Sequence, residues 1–192
     1  MTTRMNSTRL FVLGSLARFG PMHGHQIRRA AQVDRTELWT DIKPGSLYGA
    51  LHRMAGEGLI APIKTEQEGR LPARTIYEIT PAGRAELGTH RDEALRSTKL
   101  PSDPVDLALN YLENVSDDAV RDFLTDRRRA YAAQVTEWQH LQEQADPYLD
   151  ELERMGFRHT VLRLEAEIAW HDELLARLPE IMASNRAKKP PK

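Results

Sequence analysis

The sequence contains no cysteine. Disulfides, thiolate-held zinc and thiol nucleophiles are therefore excluded as sources of stability or chemistry. No apolar run approaches the ~18 residues of a membrane span, and the first residues lack an apolar stretch followed by a cleavage site. The expectation is cytoplasmic residence with no membrane partner. Catalytic signatures are missing too. The seven histidines (His23, His25, His52, His90, His140, His159 and His171) form no HExxH motif and no other metal-specifying spacing. There is no GxSxG and no glycine-rich phosphate loop. An enzyme is not expected, nor is a cofactor or a metal.

What is present is a chain of 192 residues, 40% hydrophobic and 29% charged, enough for one large domain or two small ones with a real core. Charge is unevenly placed. Residues 1–99 carry 15 Lys and Arg against 10 Asp and Glu, a charge of +5. Residues 100–192 carry 12 against 18, a charge of −6. A basic half joined to an acidic half suits a nucleic-acid module with a separate partner module.

Residues 43–60, KPGSLYGALHRMAGEGLI, organise the first half. Pro44 suits a first helical position, because it has no N–H to lose and its φ is already helical. Leu47, Leu51 and Met54 fall on one face. Gly58 can close the helix in the left-handed conformation. The opposite face carries Ser46, Tyr48, Gly49, His52 and Arg53. A narrow helix with one apolar side and one hydrogen-bonding side can enter a DNA major groove. It can equally be an amphipathic surface helix, and its neighbours decide between the two.

Ahead of it, residues 8–18 read as a helix with Leu10, Val12, Leu13 and Leu16 inward, ended by Gly20 and Pro21. A second helix starts near His23 and Gly24, and residues 34–41 connect it onward with Leu38 and Trp39 as an apolar anchor. Behind it, residues 59–63 and 75–79 read as two strands. The turn between them holds Gly69 and Pro72, with Lys64, Arg70 and Arg74 as positive charge. Thr80 and Pro81 then cap and start a fourth helix. Helix, helix, helix, hairpin, helix is the order of a winged helix-turn-helix. Ser46, Tyr48, His52 and Arg53 would face the groove, with Lys43 and Gly45 near the DNA backbone. Lys64, Arg70 and Arg74 would reach phosphates from the wing.

The run KPGSLY at 43–48, LHRM at 51–54, GLI at 58–60 and RTIYEITPAG at 74–83 resembles the PadR family of bacterial transcriptional regulators. Leu13-Gly14 and Gly24-His25-Gln26-Ile27 also fit, with His25 where that family often has tyrosine. The resemblance covers residues 8–88. It implies a dimeric winged-helix regulator on a double-stranded DNA operator, usually a repressor and often relieved by a small molecule. A winged-helix module that binds protein instead, or an activator of the same fold, is the alternative.

The second half reads as all helix. Asp103 and Pro104 start a short helix, and Ser116 caps a long one with the stripe Val120, Phe123, Leu124, Tyr131, Val135, Trp138 and Leu141. Residues 148–155 read as a short helical set ended near Gly156. The last helix holds Val161, Leu164, Ile168, His171, Leu175, Leu178 and Met182 at alternating spacings of 3 and 4, a heptad seam. Its partner is the long helix of the same chain or the same helix of a second subunit. The expectation is a homodimer in which both occur, with His171 an interface histidine. Trp39, Tyr111, Tyr131, Trp138 and Trp170 either line a pocket for a flat aromatic effector or pack the core. The fold class expected is mostly α with a small β-hairpin wing. It comprises a winged helix-turn-helix domain over 1–99, an α-helical dimerisation domain over 100–184 and a disordered tail over 185–192.

Overall fold

The computed structural model describes residues 6–33, 40, 42–67 and 73–187. Trp39, Arg70 and the last five residues of the expected tail lie outside them. The chain divides into two compact units, Met1–Pro101 and Ser102–Lys192.

The first unit runs α1 (Ser7–Phe19), β1 (Met22–His23), α2 (Gly24–Val33), a 3₁₀ turn (Pro44–Ser46), α3 (Leu47–Gly56), β2 (Ile60–Glu66), β3 (Arg74–Ile79) and α4 (Pro81–Arg96). Three apolar stripes meet at its centre. Val12, Leu13 and Leu16 of α1 pack with Ile27 and Ala31 of α2 and with Leu47, Ala50, Leu51 and Met54 of α3. Burying each of the larger side chains is worth about 1.5–3 kcal/mol, so this stripe fixes which side of α3 turns inward. Two details differ from the sequence reading. Pro44 begins a 3₁₀ turn, because the Ser46 N–H and hydroxyl both donate to the Lys43 carbonyl at 2.8 Å and tighten it. The sheet has three strands rather than two, in the order β1-β3-β2, with Met22 opposite Tyr77 and His23 opposite Ile76.

The wing strands pair antiparallel from Ile60–Ile79 out to Glu66–Arg74, with one irregularity between Pro62 and Lys64. Pro62 has no N–H to give to a ladder, which suits an edge strand. Thr80 ties the wing to the start of α4. The Thr80 N–H donates to the Leu59 carbonyl at 3.1 Å. The Thr80 hydroxyl lies within 3.0 Å of the Leu59 carbonyl and 2.8 Å of that of Gly58, and it caps the Gly83 N–H. Gly58 has φ +75°, so the left-handed closure expected of it is present. Gly83 is needed for a different reason: a Cβ there would sit 2.0 Å from the Leu59 carbonyl oxygen.

The second unit runs α5 (Pro104–Ala108), α6 (Asp117–Ala145), a 3₁₀ turn (Asp146–Tyr148) and α7 (Glu151–Ala187). Ser116 caps α6 through the Ala119 N–H. The two long helices form an antiparallel hairpin: Asp117 pairs with Arg186, Arg128 with Asp172, and Trp138 stacks edge-on with Phe157. Gly156 does not end a helix, contrary to the sequence reading. Asp150 and Glu153 cap each other's N–H groups at the start of α7, and the Trp138–Phe157 contact at 5.4 Å holds its first turns down. Together these outweigh the roughly 1 kcal/mol that glycine costs inside a helix. The expected tail is also shortened, since α7 continues through residues 185–187.

The seam needs a correction. Val161, His171, Leu178 and Met182 are buried within the chain itself, and Leu178 and Met182 pack directly on Val120 and Leu124 of α6. Val161, His171 and Leu178 therefore close the hairpin and cannot also face a second subunit. Leu164, Ile168 and Leu175 are only half-buried. On another side of α7 lies a second heptad stripe: Leu152, Met155, His159, Leu162, Ala166 and Ala169, exposed throughout. Leu152 keeps 82% of its surface and Leu162 46%.

Candidate nucleic-acid interface

With Leu47, Ala50, Leu51 and Met54 buried, α3 turns Tyr48, Gly49, His52 and Arg53 outward. Lys43, Gly45 and Ser46 stand exposed on the turn leading into it. Two glycines shape this face. Gly24 lies so close to the Tyr48 ring that a Cβ would meet Cε1 at 2.7 Å, which seats the phenol against the start of α2. Gly49 leaves room for the Arg53 guanidinium, whose Nη1 lies 3.3 Å from where a Cβ would be.

Beside α3 is a cleft of about 420 Å³. Its walls are His23 from β1, Gly24 and His25 from α2, Tyr48, Leu51 and His52 from α3, and residues 73–75 with Tyr77 on the β3 side. Arg74 thus joins α3 in one concavity. Lys64 stands apart, paired with Glu66 at 2.6 Å, both exposed; that pairing holds the Glu66 carboxyl below its ordinary value. Arg70 lies outside the described residues. The sequence reading found α3 and Arg74 but placed His23 and His25 at the start of a helix. The signal missed was three imidazoles between positions 23 and 52. Among the described residues, no group of three or more His, Asp or Glu could hold a metal ion.

Among the described residues, the aromatics suggested for an effector fall in separate places. Trp138 is core, against Phe157. Tyr111 is exposed. Tyr131 and Trp170 both lie on His171, at 5.4 and 4.7 Å between ring centres. The arrangement around His171 is polar. Arg127 Nε–H donates to His171 Nε2 at 3.2 Å, so that nitrogen is the acceptor, and Nδ1–H donates to the Glu167 carbonyl at 2.7 Å. Arg127 also donates to the Tyr131 hydroxyl at 2.9 Å and pairs with Asp103, the cap of α5. Burial pushes the Tyr131 phenol up. The Val105 N–H and then Arg127 hold the Asp103 carboxyl down.

Three helices, a three-stranded sheet and an outward polar helix beside a basic concavity define a winged helix-turn-helix protein. Residues 12–89 match the sequence model of the transcriptional regulator PadR-like family. This winged-helix segment is thus similar to that family of transcriptional regulators. The chain is 44% identical over 50 residues to a transcriptional regulator of Mycobacterium tuberculosis, covering 26% of this chain and 45% of that one. It is 35% identical over 123 residues to an uncharacterized 37.1 kDa protein in a transposon of Streptomyces fradiae, covering 62% of this chain and 33% of that one. The chain thus spans between a third and just under half the length of these two relatives. Its fold is that of Bacillus subtilis PadR. The crystal structure of that protein with operator DNA has a TM-score of 0.71 at 21% identity, covering 92% of this chain and 99% of that one. The crystal structure with p-coumaric acid has a TM-score of 0.70 at 19% identity, covering 91% and 99%. No described helix is long and apolar enough to cross a membrane.

Proposed function

We propose that this chain is a cytoplasmic, homodimeric, sequence-specific DNA-binding regulator of transcription, acting as a repressor that a small aromatic molecule releases. One observation carries the DNA reading: Tyr48, His52 and Arg53 stand clear of the core on one face of α3 while the opposite face is fully buried. A helix that spends its apolar side on the domain has only its hydrogen-bonding side for a partner. The repressor and effector parts rest on likeness of fold to a protein that takes both operator DNA and p-coumaric acid. For the second subunit, the stripe Leu152, Met155, Leu162 on α7 replaces the seam residues that the hairpin consumes, with half-buried Leu164, Ile168 and Leu175 beside it.

The test is direct. DNA crosslinked to the protein in its own cell and sequenced supplies the operator. Tyr48→Phe with Arg53→Ala should then weaken operator binding by about 1–3 kcal/mol for each base or phosphate contact removed. Both side chains are exposed, so melting should not move. Full-strength binding by the double variant would sink the assignment. Arg74→Gln should weaken binding to all sequences alike and flatten the salt dependence by about one unit. An unchanged slope with lost discrimination would mean that Arg74 reads bases.

A further inference from the structure

Three imidazoles line the cleft beside α3, and nothing in the reading of α3 as a groove binder uses them together. His23 comes from β1, His25 from α2 and His52 from α3. The rings of His23 and His25 are 6.1 Å apart and tilted. Arg74 and Tyr77 of β3 and Tyr48 of α3 complete the lining of polar and charged groups. From β2, Glu66 acts on His23 electrostatically and is itself paired with Lys64. Arg53 stands one residue beyond His52 on the same exposed side. The cleft therefore concentrates a fixed cation and three groups that become cations on protonation, with one carboxylate nearby that Lys64 already engages.

Resting on the DNA reading above, we propose that this cleft is a subsite for a backbone phosphodiester of the operator, and that His23, His25 and His52 bind protons as they engage it. A phosphodiester is singly negative at every pH from 5 to 9, so the protonation change belongs to the protein. Histidine is the side chain whose charge changes between pH 5 and 8. In the free protein, burial, Arg74 and His25 push the His23 imidazole below its ordinary value. An incoming phosphate offsets the charge of Arg74 and favours the protonated form of an imidazole beside it. The sign follows: proton uptake on binding means tighter binding at lower pH.

The experiment uses the full chain and a duplex of about two DNA turns at constant salt. Affinity is measured from pH 8 to pH 6, with calorimetry in buffers of different ionisation heat to count protons. The result expected is uptake approaching one proton, which corresponds to about a tenfold gain in affinity per pH unit. His25→Gln with His52→Gln, both exposed in the fold, should remove most of that slope while the melting temperature stays near that of the parent. Salt-sensitive binding that is flat with pH overturns the proposal and leaves the DNA reading standing. So does a double variant that keeps the full slope. Absence of salt-sensitive duplex binding at every pH overturns the DNA reading itself and the cleft with it. Inorganic phosphate is the remaining arm. If it shifts the imidazole NMR signals as tightly as duplex DNA does, the cleft is a small-anion site and the proposal falls.

Discussion

Gly83→Ala should unseat the wing from α4 and lower the melting temperature of the winged-helix unit more than any surface change. The methyl group would lie 2.0 Å from the Leu59 carbonyl oxygen and 2.9 Å from Ile79 Cγ1. Neither can swing away as the end of a flexible side chain can. The Leu59 carbonyl is fixed by the Thr80 N–H, and Ile79 is in the core. Overpacking typically costs about 1–3 kcal/mol, and a backbone clash belongs at the upper end. For a domain of this size about 3 kcal/mol is roughly a 12–24 °C fall in melting temperature. Gly88→Ala is the matched control. It lies on the same helix with open space around its Cβ, and alanine there should be neutral or stabilising by about 0.5–1 kcal/mol. Calorimetry of both full-length variants decides it. If Gly83→Ala melts with the parent, α4 does not close on the Leu59 carbonyl as described.

Leu162→Glu should give a folded single chain that has lost most of its DNA affinity. Leu162 faces solvent in the isolated chain, while its neighbour Val161 is buried against the hairpin. The substitution therefore leaves the hairpin intact and places a carboxylate in the apolar stripe assigned to the second subunit. Burying it unpaired is costly enough that the subunits separate instead. One winged helix makes few phosphate contacts and binds weakly at cellular salt. Joining two makes the second contact intramolecular, an advantage of about 10²–10⁴ that the variant forfeits. Sedimentation reads the mass and a binding titration reads the affinity. A Leu162→Glu protein that remains dimeric places the subunit contact elsewhere on the chain.

Much of this architecture could be read before the structure, and the reasons are local. α3 was legible because Leu47, Leu51 and Met54 repeat at helical spacing and are all buried. α4 and α6 were legible because Thr80 and Ser116 cap them through side-chain oxygens. β1 was not, since two residues carry no period and its pairing with Tyr77 and Ile76 is long-range. Gly156 misled because glycine's cost is small beside a reciprocal cap and the long-range contact of Phe157 with Trp138. The seam was read correctly as a packed stripe, but a heptad does not say whose helix fills it. The second stripe escaped because alanines, a histidine and three larger apolar residues make a faint pattern next to a strong one. Of the candidate face, the helix was legible and the cleft was not. Its histidines come from three elements that only the fold brings together.

The two stripes on α7 bear on how such a protein coexists with close relatives in one cell. Mixed pairs would carry unlike reading helices to a shared target. Discrimination between partners requires only that the wrong pairing be penalised, and in the dimer proposed above the residues that would impose the penalty are Leu152, Met155 and Leu162, which solvent covers in the lone chain. Val161, His171 and Leu178, which keep each chain folded, point elsewhere. A duplicated copy can thus stop mingling with its parent by drift along one side of a single helix, without passing through an unfolded ancestor.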